Sequence, residues 1–234
     1  MKYSIFHTSH CGSTLLAALL SKSIESYSEP PWSHNLDNIY NIKDRLESIK
    51  ENQPENSIVK FSSAYCSLMP SIKDKKIFLY NKLYHHLKKH ETNQKGLEFQ
   101  SRVMRNFFHP LSRRQVYPVG QAAGEKAYLW ADRFYYAFDS DNTIFIDCED
   151  LFKNQDYVLN KICAFLEIEY VPVSIDFHTK AAGLIHKGYP INLDDVLPDN
   201  KIKKIEPYIP FSKDLLDWCY ETYGAKGLIS SFIF

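Results

Sequence analysis

The chain lacks net charge: 28 Lys and Arg balance 28 Asp and Glu over 234 residues. No bulk field therefore favours nucleic acid or an anionic membrane surface, and any anion must be held by a local site. It also lacks a cysteine framework. Its five Cys, at 11, 66, 148, 163 and 219, contain no C-x-x-C pair, and the odd count argues for reduced thiols rather than a disulfide scaffold or a zinc site. No run approaches the ~18 apolar residues of a membrane span, and polar His7 arrives too early for the apolar core of a signal peptide. The expectation is a cytoplasmic protein with no membrane or nucleic-acid partner. Internal repeats and low-complexity tracts are missing as well. With 44% hydrophobic and 15% aromatic residues, the chain can bury one sizeable core, and a single domain over 1–234 is expected.

What is present starts with a strand-like run, Tyr3 to Phe6, then a turn, His7 to Gly12, then an apolar run in which Leu15, Leu16, Leu19, Leu20 and Ile24 recur at helical spacing. A strand, a turn with one Gly and a helix start form a phosphate cradle. The Gly lets the backbone approach an anion, the amides that open the helix point at it, and the hydroxyls of Ser13 and Thr14 add donors. The cradle lacks the usual cation. In a G-x-x-x-x-G-K-[ST] loop the first Gly and the Lys would fall at His7 and Ser13, which argues against an ATPase or a small-molecule kinase.

Further strands are expected at 57–62, 76–80 and 143–148, and helices at 36–51, 128–138, 156–166 and 213–222. The Pro30-Pro31 pair forbids continued helix and holds Glu29 at a strand end. Strands alternating with helices imply a three-layer α/β/α domain, P-loop NTPase-like, around a parallel sheet of four to five strands. Residues 82–125 interleave basic and aromatic side chains, from His85 through Arg102, Arg105, Arg113 and Arg114, and are read as a solvated helical cap rather than a nucleic-acid surface.

Cys11 to Leu16 resembles the 5′-phosphosulfate loop of the sulfotransferases, P-[KR]-S-G-[ST]-[ST]-x-L, with His10 in place of the Lys or Arg. Three later stretches, in the right order, resemble the same family. Ile58 to Ser62 is similar to the strand ending in K-T-H, with Lys60 kept and Ser62 at the His. The stretch from Leu68 to Asn81 resembles one ending in an Arg, followed eight residues later by a Ser, both on the donor's 3′-phosphate; here these are Asn81 and Lys89. Thr143 to Leu166 is similar to the strand, E-D-[LM], helix and F-L-[GN] run.

The resemblance implies a donor substrate, 3′-phosphoadenosine 5′-phosphosulfate, and no metal. It implies donor binding by Cys11, Gly12, Ser13, Thr14, Leu15, Asn81 and Lys89, with Lys60 and a protonated His10 stabilising the transferring group. The early Glu29 looks like the general base of the bacterial carbohydrate and tyrosylprotein branches, which would take the proton of a small-molecule or glycan acceptor in place of the missing histidine. Glu149 and Asp150 are read as structural, capping the next helix, and the loop from Lys180 through Gly183, His186 and Lys187 to Gly188 resembles in position one that covers the nucleotide. The alternative is a non-catalytic protein of the same fold that binds a nucleotide or a protein partner.

Overall fold

The structure is a computed structural model that describes residues 1–8, 11–33, 42–82, 130, 133–134, 136–173, 184–186 and 189–190. The sheet has seven strands: β1 (Lys2–His7), β2 (Glu25–Ser28), β3 (Ser57–Lys60), β4 (Lys76–Tyr80), β5 (Thr143–Asp147), β6 (Leu184–His186) and β7 (Tyr189–Pro190). Their order is β5-β4-β1-β3-β2-β6-β7, and every pairing is parallel except the two-residue edge strand β7 on β6. Helices α1 (Ser13–Leu20), α2 (Ile42–Asn52), α3 (Cys148–Lys153) and α4 (Gln155–Leu166) accompany them, and the described residues between 130 and 138 are helical as well.

The sheet exceeds the expected four to five strands at one edge. β2 has the sequence ESYS, with no apolar alternation to announce a strand, yet Ser26 and Ser28 are fully buried in it. β6 falls in the expected loop at 181–188, pairing with β2 so that Tyr27 opposes Ile185. Of the expected helix at 36–51, residues 36–41 lie outside the described residues, as do the cap beyond Lys82 and the helix at 213–222.

Strand periodicity sorts the side chains onto two faces. On one, Tyr3, Ile5, Ile58, Ile77, Leu79 and Ile146 pack with leucines of α1 and with Val158, Leu159, Ile162 and Leu166 of α4. Tyr3 Oη also donates to the Leu166 carbonyl (3.0 Å), which fastens the end of α4 to β1. The other face is aromatic. Phe6 stacks on Phe61 at 5.0 Å, Phe78 meets Phe134 edge-on at 5.0 Å, and Trp130 leans on Phe134 at 4.4 Å.

From β1 the chain moves out to β2, returns to β3, then passes β1 to reach β4 and β5. The direction reverses at β1. In open parallel sheets a ligand crevice forms outside the carboxyl ends of the strands at such a switch point, where the loop after β1 lies.

Candidate functional site

Thr8, wholly buried, anchors the cradle. Its N–H donates to the Leu79 carbonyl (3.1 Å), its hydroxyl donates to Asn81 Oδ1 (2.5 Å) and accepts from the Asn81 N–H (3.0 Å), and its carbonyl accepts from Arg133 Nη1 (2.5 Å). Cys11 Sγ, also buried, donates to the Leu79 carbonyl at 3.4 Å. Both described ends of the turn are therefore sewn to β4. Gly12 then adopts φ +84°, the left-handed region that a Cβ disfavours, and caps α1. A Cβ there would lie 2.9 Å from Cζ of Phe152, a half-exposed ring on α3.

The first amides of α1, at Ser13, Thr14 and Leu15, have no partner further back in the helix. Its first turn carries no Asp or Glu, so the helix dipole is not met by an acid of its own. The start of α1 therefore favours negative charge from outside the helix.

One strand over, Lys60 ends β3 and Glu29 follows β2, and their side chains form an ion pair with only 4% and 13% of the side chains exposed. The Glu29 N–H donates to the Lys60 carbonyl (2.8 Å), and Glu29 takes φ +48°, unusual for a residue of its size. The exit that the prolines enforce begins there: Ser33 bonds back to the Pro30 carbonyl through its N–H and its hydroxyl, both at 2.9 Å. His7 lies on the Lys60 side of the sheet, buried, with Nε2 3.1 Å from the Phe61 carbonyl, so that nitrogen carries the proton. The register continues outward, with Ser28 between Lys60 and His186.

Of the sequence-predicted residues, the structure brings Cys11, Gly12, Ser13, Thr14, Leu15, Lys60, Glu29 and Asn81 to this carboxyl edge. Asn81 is fully buried, its side chain locked to Thr8 and its carbonyl taking the Trp130 Nε1–H (2.8 Å). His10 and Lys89 lie outside the described residues, as do Arg102, Arg105, Arg113 and Arg114.

The cap of α3 departs from expectation. Glu149 and Asp150 sit inside its first turn, and the capping acceptor is Asp147, whose Oδ1 takes the Glu149 N–H at 2.9 Å. Burial raises the Asp147 carboxyl above the ordinary range, against the lowering effect of that hydrogen bond. Beside it, burial and then the charges of Asp147 and Asp150 push the Tyr80 phenol far up, so it stays neutral. Among the described residues no cluster of three or more His, Cys, Asp or Glu is arranged to hold a metal, and no helix is long and apolar enough to cross a membrane.

Sequence reasoning missed Arg133. It is wholly buried, reaching Thr8 through Nη1 and the Ser63 carbonyl through Nε (3.1 Å). A signal was there: Trp130, Arg133, Phe134 and Ala137 share one helical face, three of the four apolar, so the Arg had to enter the core with them.

Neither a family model nor a curated protein matches this chain. Solved structures do. A sulfotransferase domain from the curacin biosynthetic pathway aligns over 95% of this chain and 96% of its own, at 16% identity and a TM-score of 0.54. A sulfotransferase from Alicyclobacillus acidocaldarius aligns over 99% and 94% at 14% identity with a TM-score of 0.42. A mouse sulfotransferase complexed with PAP aligns over 100% and 89% at 13% identity with a TM-score of 0.49. With a parallel sheet in this order, a left-handed Gly between β1 and α1, and near-complete coverage of the curacin domain, the chain has the sulfotransferase fold.

Proposed function

We propose that the protein transfers a sulfuryl group from 3′-phosphoadenosine 5′-phosphosulfate to a hydroxyl or amine of a small-molecule or glycan acceptor, in a reducing, cytoplasmic setting. The observation that carries this reading is the buried Lys60–Glu29 pair at the strand ends beside the Gly12 cradle. Sulfuryl transfer is an in-line displacement that asks the protein for positioning and for stabilisation of charge on the bridging oxygen, as phosphoryl transfer does.

The amides of Gly12, Ser13, Thr14 and Leu15 and the two hydroxyls hold the 5′-phosphosulfate, with Cys11 shaping the turn from behind. Asn81 fixes the turn, and Lys89 belongs to the 3′-phosphate end. Glu29 takes the acceptor proton as the acceptor oxygen or nitrogen bonds to sulfur. The bond from sulfur to the 5′-phosphate oxygen breaks, and adenosine 3′,5′-bisphosphate leaves. Lys60, resting on Glu29 before the donor arrives, then turns its ammonium to the bridging oxygen, with His10 assisting when protonated. Parting the pair leaves a carboxylate free to accept a proton.

Radiolabelled donor offered with a panel of phenols, amines and saccharides tests the reading. Glu29→Gln is expected to lower turnover by ~10²–10⁴-fold while donor affinity holds. Turnover unchanged in Glu29→Gln would remove the proposed base. Donor-analogue binding without turnover on any acceptor would favour the non-catalytic alternative, for which the neutralised Lys60 is the supporting feature.

A further inference from the structure

The groups of the proposed transfer are laid out in strand order. The cradle follows β1, Lys60 ends the neighbouring β3, and Glu29 follows β2 on the far side of β3. Each step across the sheet is ~4.8 Å. An in-line transfer from a donor on the cradle to a hydroxyl at Glu29 runs outward along these strands, which leaves the strand beyond β2 for the rest of the acceptor. That strand is β6, paired in parallel with β2 through Ser26 to Leu184, Tyr27 to Ile185 and Ser28 to His186.

His186 is the last residue of β6, and its register position continues a row. Ile5, Lys60, Ser28, His186 and Tyr189 are successive Cα partners across β1, β3, β2, β6 and β7. Partners in adjacent strands share a face, here the one on which Ile5 and Ile58 pack with α1. Two residues nearer the amino edge, the row on the same face is Tyr3, Ile58, Ser26 and Leu184, whose members other than Ser26 are hydrophobic. From Lys60 outward the last row is polar instead: lysine, serine, histidine, tyrosine. Exposure does not account for the change at its inner members, because Lys60 and Ser28 are both buried. The resemblance set residues 180–188 over the nucleotide, whereas the backbone pairing sets His186 three strands out from β1, ~14 Å across the sheet.

We propose that β6 and β7 hold the acceptor, with His186 and Tyr189 hydrogen-bonding hydroxyls of an uncharged polyhydroxy acceptor, a saccharide, whose reacting hydroxyl lies at Glu29. Serine, histidine and tyrosine both donate and accept hydrogen bonds, as a saccharide hydroxyl does. The row beyond Lys60 offers neither a carboxylate to hold an amine nor an ammonium or guanidinium to hold an acidic group. The inference rests on the sulfuryl-transfer reading above and narrows its acceptor to one class at one side of the site.

Transfer rates to methyl glucoside, phenethylamine and glucuronate for wild type, His186→Ala, His186→Gln and Tyr189→Phe test it, alongside calorimetry with adenosine 3′,5′-bisphosphate. Wild type is expected to use methyl glucoside best. His186→Ala is expected to lose about tenfold in kcat/KM for methyl glucoside, most of it in KM, while bisphosphate affinity stays within about twofold. His186→Gln, which keeps a donor and an acceptor, stays within about threefold of wild type. Unchanged kcat/KM in His186→Ala overturns the proposal, and so does a bisphosphate affinity that falls in step with it, which marks a structural role. If His186→Ala does not fold, Tyr189→Phe decides: a raised KM for methyl glucoside supports the proposal, and an unchanged one overturns it. Wild type that turns over no acceptor fails the transfer reading and the inference together. Wild type that prefers the amine or the acid, or that uses methyl glucoside no better than the variants do, fails the inference alone.

Discussion

The two edges of the same sheet treat their polar groups in opposite ways. At the amino edge, ion pairs keep at least one partner in water: the N-terminal ammonium meets Glu55 at 2.9 Å with both mostly exposed, and the partly buried Lys75 meets the exposed Glu167 at 2.8 Å. The one buried Lys described there, Lys76, spends its ammonium on the carbonyls of Ile72 (2.6 Å) and Asp74 (3.1 Å). Left-handed residues at that edge are Asn56 and Asn142, which tolerate it in turns, and Glu167, which caps the end of α4. At the carboxyl edge the Lys60–Glu29 pair and Arg133 are withdrawn from water, and the left-handed positions are Gly12 and Glu29. The amino edge has a buried ammonium at Lys76 and a left-handed Glu167 of its own, so what sets the carboxyl edge apart is the buried ion pair beside the Gly12 turn. That pair lies where the switch point of an open parallel sheet puts a ligand.

The largest contrast is in the ion pairs. Lys60→Met leaves a carboxylate in a low-dielectric site and is expected to destabilise by ~3–5 kcal/mol, most of it recovered in the double variant with Glu29→Gln. Lys75→Met at the other edge is expected to cost only ~0.2–1 kcal/mol. Chemical denaturation of the three variants checks this, and similar values for Lys60 and Lys75 would erase the difference between the edges.

Next is Gly12→Ala. The left-handed backbone costs ~1–2 kcal/mol and moving the Phe152 ring adds to it. Adding Phe152→Ala should return only the ring's share of the loss. Full recovery in that double variant would mean that backbone strain plays no part.

The smallest effect separates charge from capping at the β5 exit. Burial raises the folded-state pKa of Asp147, so its contribution is fully present below the unfolded value of ~3.9 and is lost as pH rises through the folded value. Asparagine keeps the acceptor for the Glu149 N–H without a charge to bury. Asp147→Asn should therefore melt higher than wild type at about pH 7 and alike near pH 3. A lower melting temperature at neutral pH would show that the helix N-terminus wants the charge.

The sequence announced what depends on local pattern. Tyr3 to Phe6, Gly12 and the leucines of α1 form one strand-turn-helix unit, and Val158, Leu159, Ile162 and Leu166 mark the inner stripe of α4. Glu29 and Lys60 were found through resemblance, 31 residues apart, but their pairing was not, because it depends on β2 lying beside β3. β2 itself gave no apolar signal, and nothing local announces that the Asn81 side chain bonds Thr8, 73 residues away. Arg133 was legible as a polar residue on an apolar stripe. What it holds was not, since both carbonyls come from distant strands.

Hydrogen exchange with and without adenosine 3′,5′-bisphosphate tests most directly whether the carboxyl edge is the functional one. The account predicts added protection at the amides of residues 12–16 and no change around Asn56 and Asn142. Protection confined to the amino edge, or none anywhere at saturating ligand, would contradict it.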